Sequence, residues 1–483
     1  MTVRSILAGA FCAAALASPA LHAQWSDDPA QNLVLADRPA GQVQPKLVPT
    51  ADGGFYVSWF DAGSGYDVYL QRLSADGVEQ WSHNGVLVSD RGFTSTEDYG
   101  IAIDANGDAL LAYRYEEAGV VQAAVNRIAP DGTLAWGATG IIVSADAGDV
   151  HSPSVAATDD GGVVVAWSAS DGSIGLQKLD GDGNPLWGSG VSVTQPAGFF
   201  LMADLHEADD GSVIASWAAW LSVQNRQYWT QKFAGADGAP LWGAEPVKVF
   251  DGSSGAMQFG YTPDFVPDGA GGAVFVWYTV STSGSARAQH VRGDGTSAFA
   301  QNGVLLATDA SLTHTGPVGA YDASTGDIYA IWRVADALTQ SQIGVNAQRV
   351  DASGARQWGD DGKVLVAQSA IDQSQLGVLA LANGALFSWA SGSSPQPMPV
   401  QVTRLDAAGE AVWASQPVSI KTGATDTARL TGALASEPFA AWVWQDDADG
   451  GAGGAIKAQA LDFDGHLGGA GPLDRLFEDG FDG

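Results

Sequence analysis

Residues 159–188 read DDGGVVVAWSASDGSIGLQKLDGDGNPLWG. An Asp-Gly turn opens the stretch, and an apolar run ending at Trp167 follows. A short polar loop leads to an alternating run from Ile174 to Leu179, then a second Asp-Gly turn, then Trp187-Gly188. β-Branched and aromatic runs bounded by Gly and Asp are strand signals. Asp-Gly supplies the positive-φ positions that tight hairpins need.

The same unit recurs along the chain. Opening aromatics stand at Trp25, Trp81, Trp136, Trp187, Trp242, Phe299, Trp358 and Trp413. A second series stands inside the units at Trp59, Tyr113, Trp167, Trp217, Trp277, Trp332, Trp389 and Trp442. Both repeat at about 55 residues, so the period is secure. Each unit reads as four strands. The first follows the opening aromatic (GVLVS from Gly85), and the second is weaker (PSVAAT from Pro153). The third is the most apolar (FYVSW to Trp59, VVVAW to Trp167), and the fourth alternates (LQRL to Leu73, LQKL to Leu179). Four antiparallel strands per unit, repeated radially, predict an all-β eight-bladed propeller over residues 24–467. A linear array would need polar capping units, and neither end unit is more polar than the rest.

The ends read differently. Arg4, the apolar run Ile6–Leu16 and Ala20-Leu21-His22-Ala23 form the pattern of a secretory leader, residues 1–23. A secreted, extracellular or periplasmic protein is expected. The single cysteine, Cys12, lies in that leader, so the mature chain has no disulfide and no thiol chemistry. Residues 468–483 form a Gly-rich tail outside the repeat. The formal charge of −32 repels nucleic acid and anionic membrane surfaces. Neither is an expected partner, and no apolar run after the leader is long enough to insert in a membrane.

The loop between the second and third strands is a clipped acidic turn (ADGG at Ala51, ANGD at Ala105, DDGG at Asp159, DDGS at Asp209), and so is the link between units (ADG at Ala75, PDG at Pro130). These turns fall on one face. The longer loops between the third and fourth strands, such as AAWLSVQNRQY from Ala218 and SGSSPQPMP from Ser391, fall on the other, where binding is expected.

Three features are candidates for chemistry. Asp180, Asp182 and Asn184 have the alternating oxygen spacing of a Ca²⁺ loop but lack its distal acid; a hairpin turn accounts for them equally well. Ca²⁺ is the one cofactor the residues suggest, and otherwise none is expected. A cation recurs in the fourth strand (Arg72, Arg127, Lys178, Lys232, His290, Arg349, Arg404), with Ala460 the exception. Pairing with a turn Asp or stacking on a Trp explains it as scaffold; lining an axial channel is the functional alternative. Unit four departs most from the pattern, with Trp220, Tyr228 and Trp229 beside Asn225 and Arg226. That set suits stacking on a sugar ring or capture of a peptide, and inter-blade packing is the competing explanation. The histidines are scattered, with no close pair.

The segments LDGDGNPLWG and LSADGVEQW resemble the Trp-docking repeat of quinoprotein-like (PQQ-type) propellers, in which Asp, Gly and a closing Trp end each blade. The resemblance implies eight blades and, by extension, a quinone-dependent dehydrogenase. The Ala and Thr-Gly-Lys elements of that repeat are missing here, as are the adjacent cysteines that class commonly uses. The last eight residues, LFEDGFDG, resemble an FxDGFE-like tail of secreted gammaproteobacterial proteins.

The leading expectation is a non-catalytic binder of a glycan, peptide or protein partner, using Trp220, Asn225, Arg226, Tyr228 and Trp229 on the long-loop face. The alternative is an enzyme with a central-channel site, either a polysaccharide hydrolase or lyase or a quinone-dependent dehydrogenase. The alternative requires a deep axial pocket where polar side chains from several blades converge.

Overall fold

The computed structural model describes residues 24–468, apart from 92–95, 98, 145–147, 195–197, 209, 281–283, 394, 396, 437 and 448–453. The leader and residues 469–483 lie outside the described residues, as do Asp209 of one acidic turn and Ser394 and Gln396 of the loop from Ser391. The fold is an all-β propeller of eight four-stranded antiparallel blades, with no helix among the described residues. No helix there is long and apolar enough to cross a membrane.

Blade 3 shows the plan. Its strands run Val150–Ala157, Val163–Ala169, Ile174–Leu179 and Val191–Val193, paired in that order. The innermost strands of consecutive blades touch, and that of blade 1 (Gln42–Pro49) touches that of blade 8 (Asp426–Leu434), closing the ring. The second strands are buried along their whole length in blades 1 and 3 and along most of it in the others, as their apolar runs require.

The phase of the units differs from the sequence reading. The strand after each opening aromatic is the outermost strand of the preceding blade, not the first strand of a new one. Residues 159–188 therefore hold a blade's two middle strands. The reason is closure: Leu33–Ala36 pairs with Ala455–Asp462 and supplies the outer strand of blade 8. A ring sealed by its own N-terminal strand leaves no open sheet edge between first and last blades. The register corrects one position of the second aromatic series. Trp167 stands four residues after Val163, which faces Leu179; in blade 8 the residue facing Leu461 is Ala440, so the equivalent is Trp444 rather than Trp442.

Neighbouring blades are locked by the opening aromatics. The indole N–H of Trp25 donates to Ala75 O (2.7 Å), Trp81 to Pro130 O (3.2 Å), Trp187 to Gly235 O (3.2 Å), Trp242 to Gly293 O (2.9 Å), Trp358 to Ala407 O (3.1 Å) and Trp413 to Phe463 O (2.9 Å). Each acceptor lies in the glycine-containing turn that follows the third strand of the next blade. At Gly77 (φ 76°) a Cβ would come within 2.7 Å of the Trp25 ring, so the turn glycine also sets the distance of approach.

A buried glutamine holds the aromatic loop in most blades, with Asn126 in its place in blade 2. Gln177 Nε2 donates to Gly188 O (3.1 Å), and its Oε1 accepts from the backbone N–H groups of Lys178 (2.9 Å) and Trp187 (3.2 Å). Gln231, Gln289 and Gln348 repeat the pattern.

The recurring cations are scaffold. Arg72 pairs with Asp52 (2.6 Å), Lys178 with Asp160 (2.6 Å), Lys232 with Asp210 (3.0 Å), His290 with Asp268 (2.8 Å) and Arg349 with Asp327 (2.8 Å). Each binds the acidic turn of its own blade. They sit on the third strand from the axis and so cannot line the channel, which disposes of that alternative.

Candidate functional site

The predicted cluster in unit four does come together, at the long-loop end of the hairpin formed by Val213–Ser222 and Asn225–Phe233. Most of it is spent on packing. Tyr228 is fully buried, and its hydroxyl donates to Pro263 O (2.8 Å) in blade 5. Arg226 is buried; its Nε donates to Met257 O (2.5 Å) and its guanidinium lies 5.4 Å from the Trp220 ring centre. Asn225 Oδ1 accepts from Gln227 Nε2 (2.9 Å). Trp229 is half-buried, opposite Trp217 in the sheet, with its N–H on Gln227 Oε1 (2.8 Å) and Lys248 5.3 Å above its ring. Trp220 is only 7% exposed, stacked on Phe199 (5.1 Å) and edge-on to Phe259 (4.2 Å). As a ligand surface, Tyr228 and Arg226 are therefore corrected to inter-blade packing, because their polar atoms are already satisfied. The aromatic of this cluster most open to solvent is Phe259, 70% exposed, with Phe199 at 38%. It sits in an excursion between Met257 and Phe265 that splits the inner strand of blade 5.

The Asp180 turn is a hairpin device. Its Oδ1 accepts the N–H groups of Asp182 (3.0 Å) and Asn184 (2.8 Å), and its Oδ2 takes Asn184 Nδ2 (3.0 Å). Asp180, Asp182 and Asn184 thus cap a turn on the acidic face. Among the described residues, no three acidic, His or Cys side chains gather as metal ligands.

Polar groups converge instead in the axial channel. A cavity of about 330 Å³ is walled by the inner strands of blades 1 to 4 and by Asp264 of blade 5. Lys46 faces Ser58 in register and Asp204 faces Ser216. Each serine precedes its blade's repeated Trp, so Lys46 and Asp204 lie at one height. The equivalent positions in blades 2 and 3 are Gly100 and Ser154.

Asp204 and His206 form the centre of the site. His206 Nε2 lies 2.7 Å from Asp204 Oδ2, and its ring packs edge-on against Phe265 (4.8 Å). Backbone N–H groups of Leu205 (2.9 Å) and Phe265 (3.2 Å) donate to the Asp204 carboxylate. Burial alone would lower the pKa of His206; the Asp204 carboxylate outweighs it, Asp264 adds to the rise and Lys46 opposes it, and the net direction is upward. Burial pushes Asp204 up, but the imidazole and the two N–H donors more than offset this and hold it below the usual carboxylate range. Tyr99 fixes the wall: its hydroxyl bonds Ser58 Oγ (2.8 Å) and Gln44 O (2.9 Å), and Lys46 Nζ lies 5.1 Å from its ring centre. At the acidic-turn end, burial beside Asp159 pushes Glu207 up to about 7.

A second His–carboxylate pair stands nearer the loop face. His151 Nδ1 lies 2.9 Å from Glu97, which also pairs with Arg114 (3.3 Å). The hydrogen bond to Glu97 raises the pKa of His151 despite partial burial.

Sequence reasoning missed every one of these channel residues. The available signal was a charge at a unit position that is small elsewhere: Lys46 and Asp204 where blades 2 and 3 have Gly100 and Ser154.

No family model matches the sequence, and no curated protein resembles it. Among solved structures, the polysaccharide lyase Uly1 is similar with a TM-score of 0.45 at 11% identity, over 89% of this chain and 91% of that one. A PL25 ulvan lyase bound to -[GlcA(1-4)Rha3S]- gives 0.44 at 11% identity, over 90% and 96%. An α-L-arabinanase from Penicillium chrysogenum gives 0.37 at 10% identity, over 89% and 97%.

Proposed function

We propose that the protein is a secreted enzyme that cleaves a carbohydrate polymer by acid–base chemistry in its axial channel. The observation that carries this reading is the Asp204–His206 pair, which shares one polar cavity with Lys46 and Asp264 from two other blades. A binding scaffold has no need of an oriented imidazole in a half-enclosed site; a proton-transfer catalyst does. With Nε2 held by Asp204, the Nδ1 side of His206 takes or gives the proton at the scissile glycosidic bond. Asp204 orients the ring and stabilises its charged form. Asp264, exposed on the neighbouring blade, is the second carboxylate available to a hydrolytic route. A cavity of this size holds one or two sugar rings. The exposed rings of Phe259 and Phe199, backed by the buried Trp220, offer apolar faces to sugar C–H groups.

The test is a screen of polysaccharides by reducing-end release and by absorbance of unsaturated products. His206→Ala is expected to abolish activity, and Asp204→Asn to lower kcat by about 10²–10⁴-fold, with the all-β circular dichroism spectrum of the wild type retained. Full activity in His206→Ala would refute the assignment.

A further inference from the structure

The inner strands share a bulge on the loop side of the channel. Gln44, Ser152, Gln375 and Arg429 adopt left-handed backbone there (φ 54°, 46°, 52° and 54°), each inside a register shift. In blade 6 the bulge holds Gly316, at φ 56°. Left-handed backbone is costly for a non-glycine residue, and Gly316 shows that the cheaper residue fits the same turn. The polar side chains are therefore kept for another reason. For Gln375 that reason is visible: its Oε1 accepts the N–H of Leu430 in the next blade (3.2 Å). Arg429 has no such explanation. It is exposed, and its guanidinium makes no ion pair or hydrogen bond among the described residues. In a chain with 54 acids and 22 lysines and arginines, an unpaired arginine on a strained inner strand is an exception.

Its position gives it a role. Arg429 lies two residues above Thr431, which faces Val443, the residue before Trp444; this is the height of Lys46 in blade 1. Blades 8 and 1 are neighbours, so Arg429 and Lys46 stand on adjacent inner strands. Asp204, His206 and Asp264 belong to blades 4 and 5, directly across an eight-bladed ring. The cations Arg429 and Lys46 thus stand on inner strands opposite those that carry the acids Asp204 and Asp264 and the imidazole of His206. A neutral sugar has no use for that polarity. A sugar bearing an anionic group would be oriented by it, with the anion on the cationic wall and the scissile bond toward His206.

We propose that Arg429, assisted by Lys46, forms an anion subsite, and that the substrate is an acidic polysaccharide carrying carboxylate or sulfate groups. This rests on the channel being the active site. The test uses the full mature chain on polygalacturonate (carboxylate), chondroitin sulfate (both groups), κ-carrageenan (sulfate alone) and xylan or arabinan (neutral), which separates the two anions. Arg429→Gln is the variant of choice, because glutamine already occupies the same backbone conformation at Gln44 and Gln375. Arg292→Gln, an exposed arginine on the opposite face, controls for net charge. The expected result is turnover of an anionic polymer, lost in His206→Ala, with kcat/KM lowered about 10- to 100-fold in Arg429→Gln and unchanged in Arg292→Gln. Turnover of a neutral polymer that needs His206 but not Arg429 would overturn the anion subsite and leave the channel reading standing. No turnover of either class, or turnover that survives His206→Ala, would overturn the channel reading and the subsite with it.

Discussion

Ring closure is tested most sharply at Trp25. The residue is 6% exposed, donates to Ala75 O at 2.7 Å, and packs edge-on against Phe55 (6.3 Å), which in turn packs against Phe439 of blade 8 (5.9 Å). Truncating a buried tryptophan to alanine costs about 3–5 kcal/mol. Replacing it with phenylalanine keeps most of the contact and removes one hydrogen bond, a loss of about 1 kcal/mol; Phe299 shows that this ring is tolerated at the same place in another blade. Trp25 also precedes the strand that completes blade 8, in which Leu33 and Leu35 are buried and contribute about 1.5–3 kcal/mol each. Trp242→Ala, in the middle of the chain, makes the same local deletion without touching the seam. In urea denaturation followed by fluorescence and circular dichroism, Trp25→Ala should therefore destabilise more than Trp242→Ala, and Trp25→Phe far less than either. The reasoning fails if Trp25→Ala lies within about 1 kcal/mol of the wild type, or if Trp25→Phe costs as much as Trp25→Ala.

Three further outcomes follow from buried polar groups. Gln177→Leu, close in volume, strands two backbone N–H groups and a carbonyl and should cost about 2–4 kcal/mol in the same denaturation assay. His206 has a raised folded-state pKa, so its contribution is fully present below about pH 6.5 and is lost as pH rises through the folded value. The stability gap between wild type and His206→Gln should be largest near pH 5–6 and shrink by pH 9, and a gap that grows with pH would contradict the pairing with Asp204. Glu207 has the opposite sign: a carboxyl raised to about 7 is a burden when ionised, above that pH, and none below its unfolded value. Glu207→Gln should gain about 1 kcal/mol at pH 8, discounted for its solvent exposure, and nothing at pH 4, measured by thermal or urea unfolding.

What the sequence makes legible is what is local. Strand runs such as VVVAW, the Asp-Gly turns and the two aromatic series need only neighbours in the chain, and they turn up where the pattern puts them, with Trp442 the one member displaced, to Trp444. Blade phase is not local. It depends on Leu33–Ala36 pairing with a strand more than 400 residues away, so the unit boundary drawn at the opening aromatic falls inside a blade. The channel is less legible still. Its residues come from the weakest apolar segments, one or two per blade, and nothing in Lys46 or His206 alone marks it as facing the other. Besides the charges at Lys46 and Asp204, a second signal was available: the interval from Trp217 to Trp277 is the longest in its series, and the excess is the excursion that carries Phe259 and Asp264. Tyr228 and Arg226 misled because aromatic and cationic residues in a repeat's odd unit look the same whether they bind a ligand or the next blade.

Symmetry decides between scaffold and site in this molecule. A feature present in nearly every blade acts at the same radius all round, so its fields largely cancel along the axis. The third-strand cations and their turn aspartates do this, each neutralised within its own blade. A field across the channel requires residues that break the repeat, and on opposite walls. Arg429 and Lys46 on blades 8 and 1, against Asp204 and Asp264 on blades 4 and 5, meet that condition. His206, held by Asp204 on the wall opposite Arg429 and Lys46, is the group to which the proposed proton transfer is assigned.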